Sequence, residues 1–225
     1  MAEKHNTNSD LVKDIIIGMS DGLTVPFALT AGLSGVLDTN HLEIVSGLSE
    51  IAAGCISMGL GGYLAGQSEV EHYDTELKRE YSEIETVPDI ELKEVEDIFI
   101  EMGVEKTLSS QVALQVSKDK NRWTTLMMQL ELKMEQPAKN RAAKSGGTIA
   151  ASYLVGGFIP LFPYFIFNNK IGFYVSCAVT ILALMIFGYF KSKVTGQPII
   201  KGTFKIALTG IVAASAAYFL AKAVS

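Results

Sequence analysis

Two acids interrupt long apolar runs in the first third of the chain. Asp21 is the only charge in residues 15–37, and Glu50 is the only charge in residues 44–66. A carboxylate in hydrocarbon is costly, and it marks ion paths or proton relays more often than structural hydrogen bonds. At about 1.5 Å of rise per residue, Asp21 is expected about 9 Å in from one end of its helix. If the second run returns antiparallel, Met58 lies about 12 Å and Glu50 about 24 Å from that same end. The three form stepping points, not a single site. Carboxylates hold hard cations and a thioether favours softer ones, so the mixture suits Fe²⁺ better than Ca²⁺ or Mg²⁺. A carboxylate that yields its proton to an arriving metal, and recovers it on release, would exchange the two. Pro26, five residues after Asp21, frees backbone carbonyls that could line a cavity.

A second set of acids comes in pairs. Glu80 with Glu83, and Glu91 with Glu94, are neighbours three apart on expected helices, so each pair presents two oxygens together. Like charges so placed repel, and a bound cation removes that cost. Met127 and Met128 precede Glu131 by four and three residues, which puts sulfur and oxygen on one face. Any one such pair is ordinarily a solvated surface. It is their combination with the acids of the apolar runs that points to metal. Cys55 and Cys177 lie in apolar runs with no cysteine or histidine at ligand spacing, and they read as small core residues.

The elements that must position these groups divide into two environments. Residues 69–136 hold 17 of the 24 acids and 8 of the 19 bases, a net of −9 against +4 for the remainder. An apolar, slightly basic frame therefore encloses an acidic insert. A spanning helix needs roughly 20 mostly apolar residues. Residues 147–168 and 171–190 carry no charge, and 203–221 carries only Lys205, which can snorkel outward. Pro160 and Pro163 should bend the first of these. With 15–37 and 44–66 the expectation is an all-α polytopic membrane protein of five transmembrane helices. A cytosolic three-helix metal-binding insert separates helices two and three.

The expected divisions are 1–67 for the tail and first two spans, 68–137 for the acidic domain, and 138–225 for the last three spans. In the insert, the second helix should run on through Glu85, and TVPD at 86–89 should break it. A helix over Asp89–Met102 should end near Gly103, and one or two more should follow to Glu135. Basic residues of short loops orient the frame. Lys4 and Lys13, Lys139, Arg141 and Lys144, and Lys191, Lys193 and Lys201 fall on one face; Lys170 and Lys222 fall on the other. The N-terminus and the insert are therefore expected in the cytosol. The first ten residues are polar, with no apolar stretch behind a basic start, so no cleavable signal peptide is expected there. Gly18 with Gly22, and Gly62 with Gly66, permit close helix approach, within the chain or between copies.

SDGLTVPFALTAGLSG at 20–35 and LSEIAAGCISMGLGGYLA at 48–65 closely resemble the vacuolar iron transporter family, also described as nodulin-like or calcium-sensitive-yeast-complementing. The likeness runs from about Asp10 to the C-terminus. It implies a homodimer whose two chains line a path around the first span, exchanging protons for Fe²⁺. Export would be from the cytosol into a vacuole in a eukaryote, or across the cell membrane in a prokaryote. It implies transport positions at Asp21, Glu50 and Met58, and one cytosolic metal cluster of Glu80, Glu83, Glu91, Glu94 and Glu131 with Met127 and Met128. No prosthetic group and no nucleic acid is implied; the partners are membrane lipid, protons and divalent metal. Fe²⁺ and Mn²⁺ both accept oxygen-rich sites, so both remain open.

Two other classes fit parts of the pattern. A membrane-anchored ferroxidase would need a histidine or bridging-carboxylate set, and His5, His41 and His72 do not supply a convincing one. A tethered metal sensor or buffer would use the insert alone, with Asp21 and Glu50 structural. A transporter, not an enzyme, is the leading expectation.

Overall fold

A computed structural model describes residues 9–36 and 40–224. The tail carrying Lys4 and His5, and residues 37–39 of the turn after the first run, lie outside the described residues. Among the described residues every regular element is a helix: α1 (Ser9–Ser34), α2 (Asn40–Thr86), α3 (Pro88–Glu101), α4 (Lys106–Val116), α5 (Lys120–Leu130), α6 (Arg141–Leu161), α7 (Pro163–Ile166), α8 (Asn169–Val194) and α9 (Ile199–Val224). Four of them, α1, α2, α8 and α9, are long and apolar enough to cross a membrane. The chain separates into two compact units, one of residues up to Leu64 and from Ala142 onward, the other Ala65–Arg141.

In the first unit α1 packs on α8 and α9, and α8 packs on α9. Glycines decide how closely α6 approaches α1 and α2. A Cβ on Gly22 would collide with the Tyr153 backbone of α6, and one on Gly18 with the Ile149 carbonyl. Gly62 likewise faces the Ile149 side chain of α6, and Gly54 faces the Tyr153 ring. The small residues at 18, 22 and 62 therefore serve packing within this chain. Helix α1 passes through Pro26 without interruption. The charge-free stretch 147–168 is not one helix: α6 stops at Leu161 and the single-turn α7 starts at Pro163. The physical reason is the proline pair, since neither ring nitrogen can donate to the preceding turn. Where α6 stops, Ser176 Oγ of α8 donates to the Pro160 carbonyl at 2.6 Å, satisfying a buried acceptor.

The second unit is built on the latter part of α2 with α3, α4 and α5. Helix α2 ends at Thr86, and Pro88 takes the first position of α3, where its missing N–H costs nothing. Gly103 ends the next connection at φ 90°, a conformation that disfavours any side chain. Glu105 caps α4, and Asp119 caps α5 by accepting from Asn121 N and Arg122 N. Ile84, Val95, Ala113, Trp123 and Met127 close into a buried apolar cluster. Burying a side chain of this size contributes about 1.5–3 kcal/mol. This small core holds α2, α3 and α5 in fixed relation, and those helices carry the acids.

Candidate functional site

Two groups of side chains emerge, one in each unit. In the acidic unit, α2 brings Glu80 and Glu83, α3 brings Glu91 and Glu94, and Glu131 caps the end of α5. The five acids act on one another electrostatically. Glu80 senses Glu131, Glu91 and Glu83, Glu91 senses Glu94, Glu83 and Glu131, and Glu131 senses Glu94 and Glu83. Three separate sequence segments thus converge on one field of negative charge. Glu80 is 1 % exposed and Glu91 3 % exposed, and one carboxylate oxygen of each is buried without a hydrogen-bond partner.

Such burial has a clear consequence for protonation. Loss of water, and then the neighbouring carboxylates, push both Glu80 and Glu91 up to about 7. Glu131 is raised for the same reasons, burial first and Glu94 next. Among the described residues the cation acting on this field is Arg79, whose guanidinium lies 3.1 Å from Glu76 and 3.3 Å from Glu83. Arg79 was not legible as a participant in the sequence, although its spacing of four from Glu83 is the ordinary helical ion-pair spacing. Met127 and Met128 are both fully buried; Met127 packs with Trp123 in the apolar core. Among the described residues no three acid, histidine or cysteine side chains stand close enough to hold a metal ion as they are. The array is open, and a cation would have to draw its members together.

In the other unit, Asp21 of α1 is half-buried, as are Glu50 and Met58 of α2. The Tyr153 hydroxyl of α6 donates to Glu50 Oε1 in a short hydrogen bond, and the other Glu50 oxygen is buried without a partner. Asp21 and Glu50 both lie within electrostatic range of that hydroxyl. Acids from two different helices thus act on one tyrosine of a third, Glu50 by a direct hydrogen bond and Asp21 through its charge. Met58 stands two turns along α2 from Glu50, on the same side of the helix. Tyr153 gave no signal in the sequence, because a tyrosine in an apolar helix reads as packing. Two further acids here are almost wholly buried: Asp14, which accepts from Ser145 Oγ at 3.1 Å, and Glu43, at the start of α2. Both fall just outside the apolar runs, so a search for charges inside those runs passes over them.

Known proteins are similar to this chain over nearly its whole length. The VIT family profile matches residues 12–222. The chain belongs to the VIT family. A protein named vacuolar iron transporter 1 from Tulipa gesneriana is 48% identical over 223 residues, covering 99% of this chain and 90% of the relative. The protein of the same name from Arabidopsis thaliana is 47% identical, covering 99% and 89%. Protein CCC1 from Saccharomyces cerevisiae is 38% identical, covering 94% of this chain and 68% of its own length. Similarity to VIT-family members therefore spans both units, the apolar frame and the acidic insert alike.

Proposed function

We propose that this chain carries ferrous iron across a membrane, exchanging it for protons along Asp21, Glu50 and Met58. The observation that carries the reading is Glu50, an acid of an apolar helix held by the Tyr153 hydroxyl with its other oxygen buried and unpartnered, with Asp21 of a second apolar helix within electrostatic range of that hydroxyl. Acids placed in hydrocarbon without a basic partner need a compensating ion, either a proton or a metal. A carboxylate that alternates between the two moves one against the other. Oxygen from Asp21 and Glu50 with sulfur from Met58 makes Fe²⁺ the best-matched cargo, with Mn²⁺ second. The vacuolar iron transporters named above supply the same cargo and a vacuolar membrane for a eukaryotic source.

The acidic unit is the collector. Glu80, Glu83, Glu91, Glu94 and Glu131, with Met127 and Met128, take metal from the cytosol, a reading of this unit's side that the excess of basic residues in the short loops supports. Mutual repulsion among five carboxylates is offset when a divalent cation enters, so binding is driven by relief of that repulsion as well as by ligation. Glu83 exchanges Arg79 for the metal. In this reading α6 and α7 together complete a fifth membrane segment. Two copies of the chain line the path.

Reconstitution tests the proposal. Purified protein in sealed vesicles with an acidic lumen should accumulate Fe²⁺ under anaerobic conditions and alkalinise the lumen as it does so. Metal that binds the protein without entering the lumen would make the chain a tethered buffer instead. Consumption of oxygen in step with iron oxidation would make it a ferroxidase.

A further inference from the structure

Glu43 lies at the opening turn of α2, seven residues before Glu50 and so two turns away on the same side of that helix. It is 0 % exposed. Ser34 Oγ, on the last residue of α1, donates to Glu43 Oε1 at 2.6 Å, and the same hydroxyl shares a hydrogen bond with Tyr164 Oη of α7 at 2.9 Å. The second oxygen of Glu43 is buried with no hydrogen-bond partner. Ile51, Leu161 and Tyr164, with Ile44 and Phe173 against them, form the apolar cluster beside this group.

The arrangement resembles the one around Glu50. There an α2 carboxylate accepts directly from a tyrosine hydroxyl of α6, whereas Glu43 is joined to the Tyr164 hydroxyl through Ser34; in both, one carboxylate oxygen is buried and unpartnered. A hydrogen bond that merely tied α1 to α2 would need only an amide or a hydroxyl at position 43. An ionisable group with one idle oxygen, in apolar surroundings, is a costly way to make it.

We propose that Glu43, Ser34 and Tyr164 form a second station for the transported divalent cation, two turns beyond Glu50 at the opening turn of α2. The assignment rests on the transport reading above. Its chemistry is that of a release site. One carboxylate and two hydroxyls offer hard oxygen ligands with a single charge. The collecting array has five carboxylates and two thioethers. Glu43 also sits at the positive end of the α2 dipole, which competes with a cation for the carboxylate. Conduction requires a site firm enough to enter and weak enough to leave, and a falling number of charges along the path meets that requirement.

The test is initial-rate Fe²⁺ uptake by full-length protein in vesicles, over a range of Fe²⁺ concentrations, with Fe²⁺ alone as the probe. Wild type is compared with Glu43→Gln, Glu43→Asp and Asp21→Asn. Gln preserves an acceptor for Ser34 and removes the charge, whereas Asp preserves the charge and shortens the reach. Glu43→Gln should lower the maximal rate about tenfold, the scale on which a supporting metal-site group counts. The half-saturating concentration should stay within about twofold, because entry is untouched. Glu43→Asp should retain more activity than Glu43→Gln. A purely structural role reverses that order, and Glu43→Gln working at the wild-type rate beside an inactive Asp21→Asn overturns this station while leaving the path. Wild-type uptake by Asp21→Asn overturns the path and the station together. Should Glu43→Gln not fold, Tyr164→Phe replaces it. A fall of about fivefold, the worth of one hydrogen bond, supports the station, and an unchanged rate overturns it.

Discussion

Replacing Glu80 by glutamine should stabilise the metal-free acidic unit near neutral pH while weakening its hold on metal. Glu80 is almost wholly buried, and loss of water together with Glu131, Glu91 and Glu83 lifts its carboxyl from 4.5 to about 7. In the unfolded chain the group titrates at its ordinary value. Below pH 4.5 both states hold the proton, and the group is neutral to stability. Between 4.5 and 7 the unfolded state releases the proton and the folded state keeps it, so stability falls as pH rises. Above 7 the whole cost is present. A displacement of this size corresponds to a ceiling of about 3 kcal/mol, at about 1.4 kcal/mol per pH unit. Screening by water and salt brings the expected cost nearer 1–2 kcal/mol, taken as roughly half that ceiling.

Glu80→Gln removes that cost and leaves the side chain's shape. For a unit of this size it should raise the melting temperature by roughly 5–10 °C at pH 8 and by almost nothing at pH 4.5. Trp123 is the chain's single tryptophan and is 4 % exposed in the core of this unit, so its emission follows the unit's unfolding within the full-length protein. Melts with a chelator present, and then with added Fe²⁺ under anaerobic conditions, complete the assay. Metal should raise the wild-type melting temperature more than that of the variant, because ligand binding adds stability to the folded state alone. A variant less stable than wild type at pH 8 without metal would refute the reasoning, since the carboxylate would then be a structural partner.

Other consequences follow from the same contacts. Gly22→Leu should cost about 1–3 kcal/mol by driving a side chain into the Tyr153 backbone, read as a lower melting temperature in detergent. Gly147→Ala, where an added Cβ meets nothing within 4 Å, should be neutral or slightly stabilising in the same measurement. Gly103→Ala, at φ 90°, should destabilise the acidic unit by about 1 kcal/mol in a Trp123 melt. Tyr153→Phe takes away the hydroxyl that donates to Glu50 and should slow Fe²⁺ uptake and change its dependence on lumenal pH, with metal titration of the acidic unit unaltered.

Much of the helical plan is legible in the chain, and the reasons are local. Pro88 stops α2 from running into α3, Gly103 ends α3, and Pro160 with Pro163 divides what hydropathy alone would read as one span. The acids of the cluster could be paired from helical spacing, because neighbours three apart share a face. That three segments bring those pairs into one field depends on the packing of Ile84, Val95 and Trp123, which no spacing rule reveals. Tyr153 and Arg79 were illegible for a related reason, since each acquires its role only from what a distant segment presents to it. Glu43 was hidden by its position at the edge of an apolar run, although its burial is as complete as that of any residue in the frame.

The most direct measurement is metal entry into vesicles carrying Asp21→Asn, paired with metal titration of its acidic unit through Trp123. Undiminished binding by the collector with no accumulation in the lumen is the expected result, because the substitution removes the charge and keeps the shape. Accumulation at the wild-type rate would mean that iron crosses without this carboxylate, and the path through Asp21 and Glu50 would be wrong.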